Sequence, residues 1–102
     1  MSAQSRPLLM SVVNWGEIVY RVIQRYGDEK AAEVEHLIKS FPIIIVDADQ
    51  DITREAARFK AAHKMSYADC FAAALAKTRK AELVTGDKEF KQVEGEIKIR
   101  WL

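Results

Sequence analysis

The sequence has very little cysteine and no long apolar run. Its single cysteine, Cys70, excludes an internal disulfide and a zinc site built on several thiolates. We expect Cys70 to be a small buried residue on a helix face. No stretch approaches the roughly 20 apolar residues of a membrane span, and the first ten residues lack the layout of a signal peptide. These absences predict a cytoplasmic protein that makes no membrane contact.

A strong excess of either charge is also lacking. The 102 residues carry a net charge of +1, and 49% of them are apolar, which is typical of a soluble globular domain with one small core. We therefore expect a single domain over residues 1–102. The second half is the more basic, and its cations could attract phosphates, although a solvated helix face explains the same residues and is the favoured interpretation. These cations are Arg54, Arg58, Lys60, Lys64, Lys77, Arg79 and Lys80.

Short apolar runs alternate with helical patterns along the chain. Residues 7–13, 43–46, 81–85 and 97–102 are predicted strands. The run "IIIV" at 43–46 is typical of a strand covered on both faces, and the alternating "IKIRWL" at 97–102 indicates an edge strand. Strands that alternate with helices predict parallel pairing, hence a three-layer α/β domain whose binding crevice lies at the carboxyl ends of the strands.

Capping signals predict where the first two helices begin and end. Asn14 is the predicted N-cap of the first helix, with Glu17 completing a capping box three residues later. Gly27 is the predicted stop, and a second helix is expected over about 28–40.

Two further helices are predicted in the second half. The acidic tract 47–51 is expected to be a loop that enters a helix ending near His63. Ser66 is the predicted N-cap of an alanine-rich helix that runs to about Lys80. The inward-facing residues of the first of these two helices are predicted to be Ile52, Ala56, Phe59 and Ala62.

Three acids follow predicted strands or open predicted helices. Glu17, Asp69 and Asp87 would all lie near the carboxyl edge of a parallel sheet, where converging carboxylates repel one another unless a cation neutralises them. Oxygen ligands favour Mg²⁺ or Mn²⁺, which activate water for phosphodiester hydrolysis. Thr85 could orient a water or a phosphate oxygen, and Glu89 is the best candidate for an auxiliary ligand.

Each acid also has a purely structural explanation. Glu17 and Asp69 fit capping boxes that begin at Asn14 and Ser66, and an aspartate after a glycine, as at Asp87, is ordinary turn chemistry. The residues alone leave both explanations open.

Other candidate ligands fit less well. The tract 47–51 imitates a calcium-binding loop, but Ile52 and Arg58 stand where such a loop needs glycine and glutamate. His36 and His63 are isolated on helices, and we expect surface or packing roles for both.

Three stretches, "SVVNWGEIVYRV", "MSYADCFAAALA" and "AELVTGDKEF", followed by "IKIRWL", resemble successive segments of PIN domains, in particular VapC-type toxins of bacterial and archaeal toxin–antitoxin pairs. The resemblance runs from about Pro7 to Leu102. It implies a Mg²⁺- or Mn²⁺-dependent ribonuclease whose acidic site residues match Glu17, Asp69 and Asp87. Thr85 matches the family's small hydroxyl residue before the last acid.

The sequence departs from the family at its start. A complete PIN domain begins with a central strand that ends in an aspartate, and "MSAQSRP" contains no acid and no apolar run. Without that strand, the strands that hold Val12 and Val84 would face each other across about two strand spacings. Because unpaired buried backbone groups are costly, we expect these edges to pair directly or elements to be exchanged in a homodimer.

The resemblance leaves two functional hypotheses. The first is a VapC-like endoribonuclease with RNA as substrate and an antitoxin as partner. The second is a truncated PIN module that acts in dimerisation or antitoxin binding without catalysis. A phospho-acceptor receiver domain would need an acid pair after its first strand and a lysine after its last, and neither is present.

Overall fold

The computed structural model describes residues 8–102. Helices and short strands alternate, as the sequence predicts. In chain order the elements are β1 (Leu8–Ser11), α1 (Val12–Tyr26), α2 (Asp28–Lys39), β2 (Ile43–Val46), α3 (Gln50–Ala62), α4 (Tyr67–Thr78), β3 (Glu82–Thr85), a 3₁₀ helix (Lys88–Val93) and β4 (Lys98–Trp101). Two compact units, Met1–Asp47 and Ala48–Leu102, contain these elements. A single domain over residues 1–102 stays a prediction.

The first unit holds one parallel ladder. β1 pairs with β2 in a register that runs from Leu8 opposite Ile43 to Ser11 opposite Val46. The predicted strand at 43–46 is confirmed, but its coverage on both faces is not, since Ile44 is 49% exposed and Val46 alone is buried in this strand. Four consecutive β-branched residues favour extended backbone whether or not both faces are packed.

Helix α1 begins earlier than the sequence predicts. Ser11, rather than Asn14, is its N-cap, and the Ser11 hydroxyl accepts a hydrogen bond from the Val13 N–H at 3.1 Å. Serine caps helices as well as asparagine does, and the earlier of two competing caps begins the helix here. The expected strand therefore ends at Ser11, and Glu17 lies in the second turn, outside any capping box. The predicted stop is confirmed, since Gly27 has φ +92° and its N–H donates to the Ile23 carbonyl.

The second unit is built around α3 and α4. Asp49 caps α3 by accepting the Ile52 N–H at 2.9 Å, which confirms a loop and helix start in the tract 47–51. Ile52, Ala56 and Phe59 are buried as predicted, but Ala62 is exposed. At 100° per residue, Ala62 lies about 90° around the helix from the centre of the buried face.

Helix α4 supplies most of the core of the second unit. Its predicted N-cap is confirmed, because the Ser66 hydroxyl accepts the Asp69 N–H at 3.1 Å. The predicted burial of Cys70 is also confirmed. The buried residues of this helix are Cys70, Phe71, Ala73, Ala74, Leu75 and Ala76. Phe90 and Val93 of the 3₁₀ helix are buried as well.

The second unit holds its own parallel ladder. β3 pairs with β4 from Glu82 opposite Lys98 to Thr85 opposite Trp101, and the predicted edge strand is confirmed. The strands between residues 8 and 102 form two separate two-stranded sheets, β1–β2 and β3–β4. The expected direct pairing of the strands holding Val12 and Val84 is therefore wrong: Val12 begins α1, and each strand finds its partner within its own unit. Exchange with a second copy stays a prediction.

No helix in residues 8–102 has the length and apolar character needed to span a bilayer.

Candidate functional site

Glu17 lies on α1 in the first unit. Its carboxylate is 3.5 Å from the guanidinium of Arg21, one helical turn later, and its side chain is 29% exposed. Because Ser11 caps the helix, the capping-box explanation of Glu17 does not hold. What remains is a half-buried carboxylate with a long, partly solvated ion pair, which contributes little stability.

Asp69 lies in the first turn of α4 and is half-buried. Its backbone N–H donates to the Ser66 hydroxyl. Because the first turn is the positive end of the helix dipole, an acid at this position also has a structural explanation. Asp69 neighbours the buried thiol of Cys70. The pKa of that thiol is raised mainly by burial and further by the Asp69 charge, while Lys60 opposes both effects.

Asp87 is exposed and caps the 3₁₀ helix. One oxygen of its carboxylate accepts the Glu89 N–H at 2.9 Å, and its own N–H donates to the Thr85 hydroxyl at 3.0 Å. The turn chemistry that the sequence left open is therefore present. Thr85 shapes this turn, and Glu89 contributes its backbone N–H while its side chain is exposed. Roles of Thr85 in orienting water and of Glu89 as an auxiliary ligand stay predictions.

Gln92 was not identified from the sequence, and it links the segments that carry Asp69 and Asp87. Its side-chain oxygen accepts the Lys64 N–H at 3.0 Å, and its amide nitrogen donates to the carbonyls of Lys64 and Glu89, each at 3.1 Å. Lys64 and Gln92 are 28 residues apart, so no local pattern could have indicated this contact.

The three predicted ligands are divided between the units. Asp69 and Asp87 belong to the second unit, and Glu17 belongs to the first. Between residues 8 and 102 there is no group of three or more histidine, cysteine, aspartate or glutamate side chains arranged to hold a metal ion. The donor set itself, three carboxylates, has the chemistry that Mg²⁺ or Mn²⁺ prefers. A metal site at these residues stays a prediction.

Several cations that could attract phosphates already have partners. Arg54 contacts Asp51 at 2.9 Å, and Lys60 donates to the Met65 carbonyl at 2.6 Å. Within the cation set, these contacts favour the solvated, structural explanation over phosphate binding. A second pair of cations, Arg58 and Lys77, holds the two oxygens of Glu55 at 2.8 and 3.1 Å.

A cleft of about 180 Å³ lies in the second unit beside this Glu55 cluster. His63 borders the cleft, is half-buried, and its Nε2 lies 3.1 Å from a carboxylate oxygen of Glu96. His36 is exposed on α2. The expected surface position of His36 is thus confirmed, whereas a packing or surface role for His63 stays a prediction.

Comparison with known families decides the classification. A model of the PIN domain family matches residues 2–96. The chain belongs to the PIN domain family.

Solved structures share the fold of this PIN domain. A chain of the DNA-bound VapBC from Salmonella typhimurium is 19% identical, with a TM-score of 0.76 over 90% of this chain and 73% of that one. A chain of VapBC2 from Rickettsia felis, bound to a DNA fragment from its promoter, is 18% identical, with a TM-score of 0.76 over 92% and 74%. A chain of a toxin–antitoxin complex from Klebsiella pneumoniae is 18% identical, with a TM-score of 0.66 over 97% of this chain and 78% of that one. No match is found among curated protein sequences. At these identities the structures establish the fold, and the predicted PIN-like α/β architecture is confirmed.

Proposed function

We propose that this PIN domain is a VapC-type endoribonuclease, the toxin of a toxin–antitoxin pair, which hydrolyses RNA phosphodiesters with Mg²⁺ or Mn²⁺. The observation that carries the proposal is the family match over residues 2–96, which spans Glu17, Asp69 and Asp87. The similarity to chains of three toxin–antitoxin complexes supports an antitoxin partner.

Glu17, Asp69 and Asp87 would hold the metal ion through carboxylate oxygens. When bound, such an ion polarises the phosphodiester and lowers the pKa of a water molecule so that it can attack. The protein contributes position: the Ser66 cap fixes the start of α4 below Asp69, and the Glu89 N–H fixes one oxygen of Asp87. Thr85, already bonded to the Asp87 backbone, would keep this turn in place while substrate binds.

RNA would be held by the cations of the second half. Arg79 and Lys80 follow α4 and are exposed, and in residues 8–102 neither forms an ion pair with a carboxylate. They are therefore better candidates for phosphate contact than Arg58 or Lys77, which are engaged by Glu55.

The test is cleavage of labelled single-stranded and structured RNA by the full chain with Mn²⁺, with Mg²⁺ and with a chelator. We expect metal-dependent cleavage that falls at least about 100-fold in Asp69→Asn and in Asp87→Asn. Glu94→Gln is the matched control, since it removes an exposed acid just after the 3₁₀ helix. Cleavage that persists in both aspartate variants would count against the proposal.

A second candidate function is a non-catalytic PIN module that dimerises or binds an antitoxin. Two observations favour it: there is no preformed group of three ligands in residues 8–102, and no residue of α1 is buried. Tyr20, Ile23 and Tyr26 of α1 are among the exposed large apolar side chains. Calorimetry that finds no Mn²⁺ binding, together with a dimer in light scattering, would support this function over catalysis.

A further inference from the structure

The turn between α3 and α4 is connected to the 3₁₀ helix by one side-chain amide. Gln92 forms two hydrogen bonds to Lys64, accepting its N–H at 3.0 Å and donating to its carbonyl at 3.1 Å. Two bonds to a single residue restrict orientation as well as distance, as paired bonds do between neighbouring β-strands.

The same amide reaches the peptide that holds Asp87. Gln92 Nε2 also donates to the Glu89 carbonyl at 3.1 Å, and the Glu89 N–H donates to Asp87 Oδ1 at 2.9 Å. A displacement of Gln92 would therefore be felt at the Asp87 carboxylate through a single residue.

At its other end the amide reaches the start of α4. Lys64 lies two residues before Ser66, whose hydroxyl accepts the Asp69 N–H. Met65, between them, is 2% exposed, and its carbonyl accepts a hydrogen bond from Lys60 of α3 at 2.6 Å. The segment from Lys64 to Asp69 is therefore short and is held at Met65 and at the Ser66 cap, so Lys64 is coupled to Asp69 through few residues.

Two carboxylates that share a cation repel each other when the cation is absent, and flexible supports would let them separate. The structure instead ties their supporting segments together through groups at the surface. The three hydrogen bonds of Gln92 are solvent-exposed, so removing them leaves the buried core intact.

We propose that Gln92 is a positioning residue that fixes the spacing between Asp69 and Asp87. The link to metal binding rests on the proposed function, whereas the spacing itself is a property of the metal-free chain. Outer partners of metal ligands act in this way, by orienting the ligands before the ion binds.

The test compares Gln92→Ala with Gln24→Ala, which removes the same amide from an exposed position on α1. In the metal-free full chain, residual dipolar couplings of the amides of residues 66–69 and 87–89 report the relative orientation of the two segments. We expect this orientation to change in Gln92→Ala and not in Gln24→Ala, while Tm stays within about 3 °C of the wild type in both. Titration calorimetry with Mn²⁺ should show roughly 10-fold weaker binding in Gln92→Ala alone.

Unchanged dipolar couplings in Gln92→Ala would overturn the inference, and so would altered couplings with unaltered Mn²⁺ affinity. If the wild type binds no Mn²⁺, the proposed metal site fails, and the couplings alone decide whether Gln92 sets the spacing. Should Gln92→Ala not fold, Gln92→Glu carries the same measurements, because it keeps the acceptor for the Lys64 N–H and loses the donor to both carbonyls.

Discussion

Lys77 on α4 and Glu55 on α3 form an ion pair with 3.1 Å between Nζ and Oε1. The Lys77 ammonium also lies 5.6 Å from the centroid of the Phe59 ring, and Arg58 holds the other oxygen of Glu55 at 2.8 Å. The close contact of the Lys77 ammonium is the main reason that the pKa of Glu55 lies below its ordinary value of 4.5. Burial opposes this shift, and the neighbouring Arg58 charge adds to it. One carboxylate therefore connects the two central helices of the second unit.

Replacing this carboxylate should change how stability depends on pH. A depressed pKa stabilises the folded state above the unfolded-state value and loses that effect as the pH falls through the folded-state value. We expect Glu55→Gln to be less stable than the wild type by about 1 kcal/mol at neutral pH, and we expect this difference to shrink as the pH falls below the ordinary glutamate pKa of 4.5. Thermal unfolding between pH 3 and 7 checks this, with Glu94→Gln as the control that should show no such convergence.

Substitution can separate the turn-capping role of Asp87 from its proposed role as a metal ligand. The side-chain carbonyl of an asparagine at this position would still accept the Glu89 N–H, so we expect Asp87→Asn to keep the wild-type Tm within about 3 °C and to lose Mn²⁺ binding. Asp87→Ala should lose both the cap and the metal. If calorimetry shows that Asp87→Asn fully retains the Mn²⁺ affinity, Asp87 is a turn residue and not a metal ligand.

A side chain at Gly27 should lower the stability of the fold even though there is space for one. A Cβ at Gly27 would meet no atom within 4 Å, so the cost of Gly27→Ala comes from its φ of +92° alone. We expect a loss of about 1–2 kcal/mol in urea unfolding. Gly16→Ala is the matched control: it also has open space, lies inside α1, and should gain about 0.5–1 kcal/mol.

The Cys70 thiol should be inert in the folded protein. It is buried, and burial raises its pKa, so both access and thiolate content are low. We expect Ellman's reagent to react with it at least about 100-fold more slowly in buffer than in about 6 M urea. Rapid reaction in buffer would indicate that α4 opens readily.

Local chemistry predicted much of this fold. The stop at Gly27, the cap at Ser66, the helix start in the tract 47–51 and the strand at 43–46 each depend on a few adjacent residues, and the sequence predicts all four. It does not predict that Asp49 is the capping residue of α3. The start of α1 was missed because Ser11 and Asn14 are both good caps, and sequence gives no way to rank them. The separation into two ladders and the contact between Lys64 and Gln92 were missed because they depend on residues far apart in the chain.

The sequence also predicts the acidic residues of the candidate site better than their hydrogen-bond partners. The acids Glu17, Asp69 and Asp87 could be selected from their places beside strands and helix starts, and the family match supports the selection. Their hydrogen-bond partners could not be predicted, apart from the Ser66 cap, because turns of the Asp87 type are set by backbone geometry rather than by residue type alone.

The near absence of burial in the first unit has a consequence for folding cooperativity. Between residues 8 and 47 the buried apolar residues are Ala31 and Val46 alone, whereas α4 contributes six. Local opening should therefore start in residues 8–47, and their amides should exchange with deuterium well before those of α4. A protein that bound α1 would slow this exchange in proportion to its affinity. Binding to α1 could therefore be measured as protection of these backbone amides from deuterium exchange.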